Sequence, residues 1–81
     1  MTKQELLQRI RTDPQVVAGR PRIQGTRLTV RYIVSLLASG ASVDDVLSEH
    51  PNLAREDVYA CLAYASEVLE RTPAMTPVET A

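Results

Sequence analysis

From Arg55 to Arg71 the apolar residues Val58, Cys61, Leu62, Ala65, Val68 and Leu69 recur at i, i+3, i+4, i+7, i+10 and i+11, the spacing of one face of a helix. A face that long commits the rest of the chain to covering it. Two further helical patterns precede it. Thr29 can cap a helix with Val30, Ile33, Val34 and Leu37 inward and Gly40 at its end; Ser42, with Asp45 three residues on, can cap a helix of about two turns with Val43, Val46 and Leu47 inward. Pro51 follows that second helix, and Leu53 with Val58 forms a hydrophobic staple into the third. Short helix, four-residue break at 51–54 and longer helix make a helix-turn-helix pattern, which serves DNA readers and plain three-helix bundles alike.

The residues before Thr29 read differently. Thr2 and Glu5 form a capping box for a short opening helix with Leu6, Leu7 and Ile10 on one side, ended by Asp13-Pro14. In Arg22-Ile23-Gln24-Gly25-Thr26-Arg27-Leu28-Thr29 apolar and polar residues alternate about a glycine. A β-ribbon is expected there, with Gly25 as the first central residue of a type II′ turn and Thr26 beside it as a turn-former. The chain is 81 residues long with no Phe, no Trp and one cysteine. One domain over 1–72 with a small aliphatic core follows, residues 73–81 reading as a flexible tail, and a core that small gains from oligomerisation.

Several function classes lose their sequence support. The longest stretch without a charge, 32–43, is too short for a membrane span, and MTKQELLQRI lacks the apolar run of a secretory signal, so a cytoplasmic location is expected. One His and one Cys do not make a metal cluster, no glycine-rich phosphate loop is present, and no cofactor is expected. His50 falls in the last turn of the second helix and Cys61 on an inward stripe; both read as structural, and the chain reads as no enzyme.

Charge carries more information. From Arg9 to Arg31 six arginines face one acid, whereas from Tyr32 onward two arginines face eight acids. A basic front is joined to an acidic back. Arg20, Arg22, Arg27 and Arg31 lie on or beside the ribbon and are the candidate nucleic-acid contacts; arginine forks equally suit carboxylates of a second subunit. The early third helix, where a helix-turn-helix reader meets bases, carries Glu56 and Asp57 against Arg55, a charge balance that disfavours DNA and suits the helix dipole. Tyr59, Ala60, Ala63 and Tyr64 form a second stripe on that helix, suited to a dimer or partner interface or to burial under the chain's own N-terminal segment.

Gly19-Arg20-Pro21-Arg22-Ile23-Gln24-Gly25-Thr26-Arg27-Leu28-Thr29-Val30, with Asp13-Pro14, Gly40 to Leu47, Pro51-Asn52-Leu53, Glu56-Asp57-Val58 and Ala60 to Ala65, resembles the small bacterial family called domain of unknown function 433. The likeness runs from Ile10 to about Leu69, and Gly-x-Pro-x-Ile-x-Gly-Thr-Arg is its most specific part. It implies a mainly α fold: a homeodomain-like three-helix helix-turn-helix domain preceded by a short N-terminal β segment or hairpin. It further implies a dimeric antitoxin encoded beside a PIN-like nuclease toxin, with operator DNA as the second partner. The acidic back suits a cationic RNA-binding site on such a toxin. The alternative is a protein-interaction or dimerisation module that binds no DNA. Ala54 stands where the family often has a hydroxylated helix cap.

Overall fold

The structure, a computed structural model, describes residues 1–72, so the expected tail at 73–81 lies outside the described residues. It is mainly helical with a short antiparallel ribbon near the N-terminus. The elements are α1 (Lys3–Leu7), β1 (Ile10–Arg11), β2 (Arg22–Ile23), α2 (Val30–Ala38), α3 (Val43–Glu49) and α4 (Arg55–Arg71). Helix α4 is the organising element: α1 and α2 pack along it, and α3 and both strands also touch it.

Local chemistry sets most boundaries. The Glu5 N–H donates to Thr2 Oγ1 and the Thr2 N–H to Glu5 Oε1, closing the first capping box. Ser42 and Asp45 repeat this reciprocity at α3, at 3.0 and 2.9 Å. The Ser42 backbone N–H, and secondarily its hydroxyl, hold the Asp45 carboxyl below its usual range. That contribution to stability is therefore present above the ordinary carboxylate range and is lost as the pH falls through it. At the end of α2, the Gly40 N–H bonds Leu37 O and the Ala41 N–H bonds Leu36 O, a Schellman pair that needs the left-handed φ of +104° at Gly40.

Helix α4 lacks half of its cap. The Ala54 N–H donates to Asp57 Oδ2 at 2.8 Å, but Ala54 has no side chain to return the bond. Ala54→Ser should therefore stabilise the domain by about 1 kcal/mol, raising Tm by about 4–8 °C for a domain of this size. A melt no higher than that of the wild type would mean that solvent already serves these amides well.

The core comprises Ile10, Ile23, Val30, Ile33, Val46, Leu53, Val58, Ala60 and Cys61. The structure departs from the sequence expectations in five places. Ile10 does not extend α1: it sits in β1 opposite Ile23, buried, because α1 stops at Leu7 and the chain turns into the ribbon. The ribbon's main pairing is β1 with β2; Thr29 joins it through a bridge to Arg22, and the Ile23 N–H reaches Leu28 O. The turn at 23–26 is closed by the Thr26 N–H on Ile23 O, with Gly25 as the second central residue at φ +80°. That is the type II arrangement, not II′, since only its second central residue has positive φ. A Cβ at Gly25 would meet nothing within 4 Å, so any penalty there is conformational. Gly25→Val should lower stability by about 1–3 kcal/mol in denaturant unfolding, and an unchanged midpoint would refute the turn assignment.

The other two departures concern α4. Leu62, Val68 and Leu69 are exposed, Leu69 by 73%, while Ala60 is fully buried. At 17 residues the helix is about 25 Å long and outruns the elements that cover its Val58–Cys61 portion. Elements on several sides, α1, α2, α3 and the ribbon, pack on α4, and Ala60 is buried although it lies off the apolar face.

Candidate nucleic-acid interface

Ion pairing divides the nine cations. Lys3 pairs with Glu67 and Glu70, Arg9 with Asp57 at 3.0 Å, Arg55 with Asp44 and Arg71 with Glu67. Among the described residues the other five, Arg11, Arg20, Arg22, Arg27 and Arg31, have no carboxylate in ion-pair range. Every unpaired cation thus lies on the front of the chain.

The ribbon places two of them together. Ile10 and Ile23 face the core, so the directly opposed Arg11 and Arg22 share the outer face. Like charges so placed repel each other, and no described acid relieves them. Arg22 lies over the turn, where Nη1 donates to Thr26 O at 3.3 Å and its buried Nε has no partner. Thr26 fixes that turn, its hydroxyl donating to Ile23 O at 2.9 Å and accepting from the Leu28 N–H at 3.0 Å. Arg27 follows, exposed. The sequence reading leaves Arg11 out of the candidate contacts, although the mirrored order Ile-Arg in β1 against Arg-Ile in β2 is a signal for its place beside Arg22.

Arg20 and Arg31 are placed differently. Both are exposed and both line a groove of about 420 Å³ walled by Val34, Tyr64, Val68 and Leu69. Its lining is almost entirely apolar, so the two arginines contribute aliphatic stems and leave their charged heads at the rim. Just before Arg20, Val17, Ala18 and Gly19 take φ values of +42°, +57° and +75°. A β-branched residue rarely adopts that conformation.

The expected interface stripe on α4 does not hold as one patch. Ala60 is buried within its own chain and leaves the set. Tyr59 is exposed, Ala63 is half-buried, and Tyr64 packs on the core beside the groove. Five residues apart, Tyr59 and Tyr64 diverge by about 140° around the helix.

The start of α4 is electrostatically satisfied. Asp44 binds Arg55, and Asp57 takes the Arg9 guanidinium on Oδ1 and the Ala54 N–H on Oδ2. No unpaired cation remains there to meet a phosphate. Burial pushes the Cys61 thiol up to about 12, with Asp57 adding to the shift, the reverse of an activated nucleophile. His50 caps α3 with its ring edge-on to Tyr32, and its buried Nε2 has no partner. Among the described residues no helix is long and apolar enough to cross a membrane, and no three His, Cys, Asp or Glu side chains are grouped to hold a metal.

Comparison with known proteins adds the lineage. The sequence profile of the family described as "Protein of unknown function (DUF433)" matches residues 10–65. The crystal structure of a DUF433 member protein from Anabaena variabilis ATCC 29413 superposes with a TM-score of 0.74 at 32% identity, over 84% of this chain and 67% of that one. No curated protein matches the sequence.

Proposed function

The chain belongs to the DUF433 family, and from that premise we propose a non-enzymatic, dimeric, cytoplasmic antitoxin that binds operator DNA through its arginine front and a PIN-like nuclease through a separate surface. One observation carries the DNA part: all five cations without a carboxylate partner among the described residues lie between Arg11 and Arg31. Phosphates supply the missing anions, and the hydrogen-bonded turn at 23–26 holds Arg22 for them, with Arg27 next in the chain. The ribbon therefore positions the protein on the backbone, and α4 acts as a brace.

The exposed apolar residues of α4 and the adjoining groove support the reading as a protein-interaction module. A titration with duplex DNA at several salt concentrations decides between the two. DNA binding requires log affinity to fall linearly with log salt, by about 0.9 per phosphate neutralised; no binding even at low salt would leave only the interaction module. Sedimentation of the isolated protein tests the dimer, which a monomer at tens of micromolar would refute.

A further inference from the structure

We infer that the groove between α2 and the second half of α4 is a docking site for a helical protein segment whose apolar face is flanked by carboxylates, and that such a segment and DNA compete for Arg20 and Arg31. The competition rests on the reading above; the docking does not.

Three observations converge. First, the floor and walls are apolar: Val34 from α2 and Tyr64, Val68 and Leu69 from α4. Val68 and Leu69 are 45% and 73% exposed although they continue the inward face of their helix. Apolar side chains in a concave, contiguous setting mark a surface that another body covers, unlike scattered exposed leucines. Second, the rim is cationic, and among the described residues neither Arg20 nor Arg31 has an acid of its own chain. A neutral or basic partner would desolvate two guanidinium groups without compensation, whereas a carboxylate on each flank replaces the lost water. Third, the groove is lined chiefly by two helices, α2 and α4, a setting in which an amphipathic helix can lay its apolar face.

Arg20 and Arg31 belong to both sites. A carboxylate-flanked segment seated in the groove removes two of the five arginines from the DNA face. The two ligands therefore oppose each other, by the same factor in either direction. Occupancy of the groove is a release device for DNA built from shared charges, with no change of fold required.

The probe is a synthetic helical peptide of about 15 residues with Leu at i, i+3, i+4 and i+7 on one face and Glu on both flanks, titrated without DNA. Saturable binding is expected. The same peptide with Lys flanks should bind about tenfold more weakly, two rim pairs being lost and replaced by repulsion. Arg20→Glu with Arg31→Glu should reverse that preference. Leu69→Lys, at an exposed position that leaves the fold intact, should abolish binding. Equal affinity for Glu and Lys flanks, or full binding by the Leu69→Lys protein, overturns the docking site. So does a dimer that dissociates on Leu69→Lys and that the peptide never displaces, because the groove would then belong to a second copy. Competition is read separately, from DNA affinity at saturating peptide. Loss of DNA affinity is expected, and simultaneous binding with unchanged affinities overturns the shared-arginine device while leaving docking to its own result. Absence of any DNA binding overturns the device together with the DNA reading, again without touching the peptide titration.

Discussion

Ala60→Glu abolishes the folded state. Ala60 is fully buried in a core whose buried members among the described residues are all apolar, so the carboxylate would have neither room nor a hydrogen-bond donor. Burial of an unpaired charge and overpacking act together, at about 4 kcal/mol or more. A domain of this size has only about 5–10 kcal/mol to lose. Circular dichroism should show no cooperative melt at 25 °C or a midpoint lowered by tens of degrees. Leu69→Lys, on the same helix but exposed, should fall within about 0.5 kcal/mol of the wild type. A folded Ala60→Glu protein that merely loses self-association would place Ala60 in an interface and overturn the burial assignment.

If the arginine front binds DNA as proposed, affinity should collapse when Arg11, Arg22 and Arg27 are replaced by Ala. If each contacts one phosphate, the slope of log affinity against log salt flattens by nearly three per subunit, at about 0.9 each. At moderate salt that amounts to orders of magnitude in affinity. Arg55→Ala should leave the slope unchanged, because its guanidinium is already held by Asp44. Tyr59→Ala should leave it unchanged as well. The opposite pattern, in which Arg55→Ala abolishes binding and the triple variant retains the wild-type slope, would make α4 the reader.

Helix starts, and the stop of α2, were legible in the sequence because they depend on neighbours within four residues; the stop of α1 was not. Thr2 with Glu5, Thr29, Ser42 with Asp45 and Gly40 all act where their spacing places them. Side-chain fate on α4 was not, because periodicity identifies an apolar face without telling how far the rest of the molecule reaches along it. Leu69 and Cys61 have equal standing in the pattern, yet one is exposed and the other buried. Ala60 lies off that face and is small enough to read as a contact residue; only tertiary packing buries it. The same limit governs the site. Six arginines in 9–31 are visible in the sequence, but that Arg9 is taken by Asp57, 48 residues away, while Arg11 has no carboxylate partner among the described residues, depends on tertiary placement. The turn at Gly25 was recognisable, and its type depended on a ribbon register that β1 sets.

The embrace of α4 by α1 orders events during synthesis. Lys3, made some sixty residues before its partners, reaches Ser66, Glu67 and Glu70 near the far end of the described chain. Until the ribosome has released the second half of α4, the opening helix has nothing to lie against, and at five residues it is far too short to persist alone. Ile10 and Ile23 likewise await the helix that shelters them. The nascent domain therefore acquires its shape late and all at once, and any nucleic acid the basic segment meets in that interval finds the arginines before it finds the fold.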